Sequence, residues 1–188
     1  KKGTVTSMPI ASGDILFKFS TTLGTSGNSQ AGSGDGSLGK YISTTQITDN
    51  SLHNLFDVIT GDQNAASTVD YRCIFIHNNN PSGLTMQSTV AWLQSQVAGG
   101  ANAAIAVDNS GASGINVTNH QASWVASETT APTAIGSWNS GTVKASGVSL
   151  GDIAPGSGRA LWVRRSATNS AAVNNDGVTI RVECDSAA

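Results

Sequence analysis

At 188 residues the chain is long enough for one domain with a sizeable core. Only 12% of it is charged against 38% hydrophobic, and 21 glycines accompany an abundance of Ser, Thr, Asn and Ala. A formal net charge of -2 supplies no whole-molecule attraction to nucleic acid or to an anionic membrane, and two cysteines outside any CxxC do not make a disulfide scaffold.

The first thirteen residues, KKGTVTSMPIASG, read as an N-terminal arm without the continuous apolar core of an export signal. Its basic and apolar side chains, Lys1, Lys2, Met8 and Ile10, suit addition of a strand to a neighbouring molecule. Residues 14–188 read as a single all-β domain. In DILFKFS, Ile15, Phe17 and Phe19 share one face and Lys18 takes the other, the period of a half-buried strand. The low-complexity stretch from Thr21 to Gly39 reads as a flexible linker or surface loop. Inside it GDGSLGKY has the spacing of a phosphate-binding loop up to Lys40. It fails at Tyr41, where a hydroxyl should hold magnesium, and places Asp35 in the would-be anion cradle.

KYISTTQI is a strand candidate rich in β-branched residues. SLHNLFDVI carries helical spacing at Leu52, Leu55, Phe56 and Ile59 behind an Asn50 or Ser51 cap, which predicts one short helix. DYRCIFIHNNN concentrates an arginine, a thiol and an imidazole. Alternation puts Tyr71, Cys73, Phe75 and His77 on one face and Arg72, Ile74 and Ile76 on the other, so both faces are largely apolar and the segment predicts a central strand. Cys73 and His77 are then about 13 Å apart, too far for a catalytic pair, and the ring of His77 is placed to bond to the asparagine turn. LTMQSTVAWL, AAIAVD, RALWVRR and GVTIRVECD alternate as further strands, with ASWVA and TVKASGVSL as weaker candidates. Many strands between Gly, Ser and Asn turns predict an antiparallel β-sandwich of jelly-roll kind.

Chemistry-bearing residues are scattered. His53, His77 and His120 have no metal-ligand spacing, Asp35 with Asp49, Asp57 or Asp62 lacks the DxDxDG pattern of a calcium loop, and no GxSxG occurs. No catalytic residue, cofactor or metal is predicted. Asn116 opens a formal glycosylation sequon, which has no meaning unless the chain is secreted by a eukaryote. Pairing of Cys73 with Cys184 stays open. Trp92 and Trp162 sit in strand patterns and read as core, whereas Trp138, in a glycine-rich turn, is either core or the anchor of a contact with a subunit or a sugar.

SLGKYIST, LHNLFDVITGDQNAASTVDYRCIFIHNNN, LGDIAPGSGRALWVRRSA and NNDGVTIRVECD together resemble a group of small virion structural proteins of tailed bacteriophages, over about Asp14 to Asp185. The resemblance implies a capsid decoration, or cement, protein. Such a protein is made in the host cytoplasm and bound to the outer capsid surface. It engages the major capsid protein, commonly as a trimer, with neither nucleic acid nor membrane as partner. On that reading Lys1, Lys2, Met8, Ile10, Asp35, Trp138, Arg164 and Arg165 are the contact candidates, with the two arginines pointing to opposite faces. The alternative is a tail, neck or fibre component that binds host carbohydrate through tryptophan.

Overall fold

Among the described residues eight strands form wherever alternation is strongest: Ile15–Thr21 (β1), Tyr41–Gln46 (β2), Val69–Asn78 (β3), Met86–Gln96 (β4), Asn102–Gly114 (β5), Val148–Ile153 (β6), Ser157–Ser166 (β7) and Val178–Ser186 (β8). The structure, a computed structural model, describes residues 9–114 and 122–186. The strands make an all-β sandwich of two antiparallel sheets, with order β2-β1-β3-β7-β5 in one and β6-β4-β8 in the other.

As its two apolar faces require, β3 lies at the centre of the larger sheet. Its inward side chains Ile74 and Ile76 join Ile105, Leu161 and Val163 from β5 and β7, against Met86, Ala91, Leu93, Leu150 and Ile153 of the smaller sheet. Its outward side chains Cys73 and Phe75 join Ile42, Ala160 and Trp162 in a second apolar cluster. Among the described residues no third sheet lies above that outer cluster. Ala122, Val125, Leu38, Ile135 and Trp138 from long connecting segments cover it instead.

The cover is stitched by backbone bonds. Beyond Phe19, where pairing with β1 ends, the N–H of Cys73 donates to Ser37 O at 2.7 Å and that of Tyr71 to Glu128 O at 2.7 Å. Gly39 bridges Trp124, and the N–H of Val125 reaches Leu38 O at 3.0 Å. Gly39 has φ +95°, and a Cβ there would lie 2.0 Å from Ser123 O, so only glycine allows this approach. Residues 32–39 are therefore packed against the sheet and the 49–59 segment and are not a linker, whereas Leu23–Thr25 and Ser29–Ala31 are exposed surface loop; the packed glycines permit contact where their number suggested freedom.

Three other expectations change. SLHNLFDVI is not helical: Asn50 and His53 have φ of 53° and 55°, and the Leu55 and Asp57 carbonyls accept from Arg72 and Arg165 instead of from a helical turn. The α-helix lies just downstream at Gly61–Ala65 (α1), where Thr60 and Gln63 exchange side-chain bonds to each other's N–H at 3.2 and 2.8 Å. ASWVA contributes only the bridge at Trp124. Of TVKASGVSL, only the residues from Val148 onward enter β6, behind a single 3-10 turn at Lys144–Ser146.

The asparagine run is the corner that joins the sheets. Asn78 Nδ2 donates to Leu84 O and Ile153 O at 2.8 Å each, while Asn80 Oδ1 accepts from the N–H groups of Ser82 and Leu84 at 3.0 and 3.1 Å. Asn80 Nδ2 reaches Asp14 at 2.8 Å. His77 takes no part: both of its ring nitrogens are buried without a hydrogen-bond partner.

Candidate functional site

Where Asp70 and Arg72 interrupt the apolar inner face of β3, the sequence demands counter-charges, and the fold gathers them around Phe56. Arg72, 1% exposed, donates to Leu55 O at 3.2 Å, pairs with Glu128 and lies 3.6 Å from Asp35. Arg165 pairs with buried Asp70 at 2.7 Å and with Asp57 at 3.0 Å. The two guanidinium carbons stand 5.4 and 4.7 Å from the Phe56 ring centre, one on Arg72 and one on Arg165. Asp35, Asp57, Arg72, Ser127 and Glu128 line a cleft of about 400 Å³ at this seam. The arginines are committed to partners within the chain, which fixes the 49–59 segment across the end of the core.

On the opposite face, Arg164 lies 5.0 Å over the Trp138 ring, and Tyr71 stands 5.7 Å from it on the same outer cluster. The two consecutive arginines thus point to opposite faces, as alternation requires. Trp138 packs against the core and is capped by a guanidinium, which takes one ring face away from any external partner. The indole most exposed to solvent is that of Trp124, at 53%.

A second buried carboxylate organises the cover. Asp108, fully buried, accepts from the N–H and hydroxyl of both Ser110 and Ser123 and from Trp162 Nε1 at 2.8 Å, so one side chain ties β5 to β7 and to the covering segment. Nearby Cys73 is fully buried; burial, and then the Asp108 charge, push its thiol well above the ordinary range. Cys184 lies against the inter-sheet core, on the far side of the larger sheet, and both cysteines are free.

The smaller sheet is arranged differently. Arg181 lies over Trp92 at 5.7 Å, and Glu183 joins Arg181 and Lys144 at 2.9 Å each. Lys144 holds the Glu183 carboxyl below its ordinary value. Strand β8 pairs only with β4, so its other edge has no backbone partner among the described residues.

The sequence-derived contact candidates do not converge. Lys1, Lys2 and Met8 lie outside the described residues, as do Asn116 and His120. Ile10 packs on the inter-sheet core, and Asp35, its side chain 86% exposed, stands at the mouth of the Arg72 cleft. Among the described residues no group of His, Cys, Asp or Glu is placed to hold a metal ion. No described helix is long and apolar enough to cross a membrane. The Arg72 and Asp108 networks were not singled out beforehand. An arginine on an otherwise apolar strand face was the available signal for the first, and the second has no local signal because Ser123 and Trp162 are far away in sequence. No protein-family model, curated protein or solved structure matches this chain.

Proposed function

We propose that the chain is a non-enzymatic structural protein of a tailed-phage virion, bound to the outside of the capsid where it cements the major capsid protein shell. What supports this reading is the contrast between the two sheets. The larger is covered on both faces and internally braced, while the smaller presents an open β8 edge and an outer face carrying Arg181, Glu183 and Lys144 over a buried Trp92. A rigid block with one contact-ready side suits a subunit that makes modest contacts repeated many times around a lattice, where avidity supplies the hold. The resemblance of the YRC strand and the WVRR strand to phage virion proteins gives the partner its identity.

Co-sedimentation with undecorated shells tests it. Saturable binding at a fixed ratio to the shell protein, in multiples of three, is the expected result, and deletion of residues 1–8 should lower occupancy while leaving Ile10 and the thermal transition in place. A chain that stays in the supernatant at all concentrations sinks the proposal and favours the tail or fibre alternative.

A further inference from the structure

Lys18 should take the solvent side of its strand, yet it is 8% exposed on the covered outer face of the larger sheet. It makes no ion pair among the described residues; its Nζ donates to the side-chain oxygen of Asn28 at 3.0 Å. A buried ammonium with only a neutral partner is costly, and burial accordingly lowers the Lys18 pKa toward the neutral, nucleophilic amine. Asn28 is held in place: its φ is 56°, and its N–H donates to Ile42 O at 2.5 Å, fixing the amide beside β1.

An imidazole lies diagonally across the strand pair from Lys18. The register of β1 and β3 sets Lys18 opposite Phe75 and Leu16 opposite His77, so Lys18 and His77 are diagonal neighbours on one face, within reach of long side chains. His77 is 4% exposed and both ring nitrogens lack a partner. The Gly156 backbone is the polar group that favours the charged ring, without a well-formed hydrogen bond. Leu16, Phe75 and the Gly156 and Gly158 backbone surround it, and Lys18 is the charged group that acts on it.

We propose that Lys18 and Asn28 become joined by an intramolecular isopeptide bond, with His77 moving the proton. The amide carbon sits one bond beyond the accepting oxygen, a small side-chain rotation from the roughly 3–3.5 Å approach that turns a contact into an attack. The Nζ lone pair adds to Asn28 Cγ, forming the Nζ–Cγ bond. His77 accepts a proton from Nζ and returns it to Nδ2, and the Cγ–Nδ2 bond breaks to release ammonia. No redox change occurs and no outside reactant is consumed. The product replaces a buried amine by a neutral amide and ties β1 covalently to the covering segment. Holding the two groups together supplies an effective molarity on the order of 10⁵ M or more, which an amide needs to react without external activation.

The intact mass of the purified folded protein is the decisive measurement. The expected mass is one ammonia below the sequence mass. Trypsin should release a single fragment spanning residues 3–40, because an acylated Lys18 is not cut, and its fragmentation should give no backbone products between Lys18 and Asn28. Lys18→Met and Asn28→Ala should each restore the mass their own sequence predicts. When both chains are isolated unfolded, before the bond can form, and then refolded, His77→Leu should lose ammonia at least tenfold more slowly than the parent chain. The proposal is overturned by a parent protein that keeps its full sequence mass after prolonged incubation at neutral pH, or by an ammonia loss that survives in Lys18→Met. An unchanged rate in His77→Leu removes His77 from the step.

Discussion

Acidification should loosen this protein through His77 at a pH where most carboxylates are still ionised. Burial, and secondarily the Lys18 charge, bring the His77 pKa from 6.5 down to about 4, and contact with the Gly156 backbone offsets this only in part. The unfolded chain therefore binds a proton first as pH falls, and stability drops from about the unfolded pKa until the folded value is passed. Between about pH 7.5 and about pH 5 that difference removes about 2 kcal/mol, and the full shift corresponds to about 3 kcal/mol. Burial, the larger cause, acts whether or not Lys18 carries a charge.

Urea unfolding of the parent chain and of His77→Leu at the two pH values isolates the effect, because all other titrating groups are common to both. With a slope of about 2 kcal/mol per molar, the parent midpoint should fall by about 1 M more than that of the variant. At the higher pH, His77→Leu should be at least as stable as the parent, since it removes two unpartnered buried nitrogens. Equal losses on acidification in the two proteins would refute the argument.

Other perturbations probe the networks. Arg72→Ala strips Glu128 of its partner, frees the Leu55 carbonyl and uncovers Phe56; it should cost about 3–5 kcal/mol in chemical unfolding, and a cost under about 1 kcal/mol would mean that water already screens the seam. Asp108→Asn cannot accept all the bonds that converge on the carboxylate and should cost about 3 kcal/mol, read by tryptophan fluorescence on unfolding because Trp162 loses its acceptor; an unchanged midpoint contradicts the assignment of Asp108 as the tie between sheet and cover. A thiol reagent at neutral pH should modify Cys184 before Cys73, with Cys73 reacting only on unfolding; prompt native labelling of Cys73 would show that the cover opens readily.

The strands were legible because their signal is local. Alternation in Ile74, Ile76 and Phe75 marks both the strand and its central place, since two apolar faces need cover on both sides. Helical spacing at Leu52, Leu55, Phe56 and Ile59 misled, because arginines from distant strands take the carbonyls a helix would have used. The true helix announces itself in Thr60-x-x-Gln63, a capping box too short in its sequel to show apolar periodicity. Ser37, Leu38 and Gly39 read as linker because composition records the freedom of the unfolded chain, whereas their order comes from Ser123, Val125 and Cys73, remote in sequence. Of the contact candidates, alternation correctly separated Arg164 from Arg165. It could not show that Trp138 and the Asp57–Asp70 pair would engage them.

The sealed glycine-rich segment also decides where foreign peptide can be carried. Composition would direct a graft anywhere into residues 21–39, yet at Ser37–Gly39 an inserted epitope would pry the covering segment off Cys73 and Phe75 and expose the outer cluster. The tolerant sites are plainer turns. Pro81, Ser82 and Gly83 are exposed, but the N–H groups of Ser82 and Leu84 are spent on Asn80 in the corner between the sheets; Asn174 and Asn175 lie in a second exposed bend, ahead of the Asp176 carboxylate that accepts from the Ala101 N–H. Of the two, the second is the better place for a display tag, because an insertion between Asn174 and Asn175 leaves the asparagine corner intact.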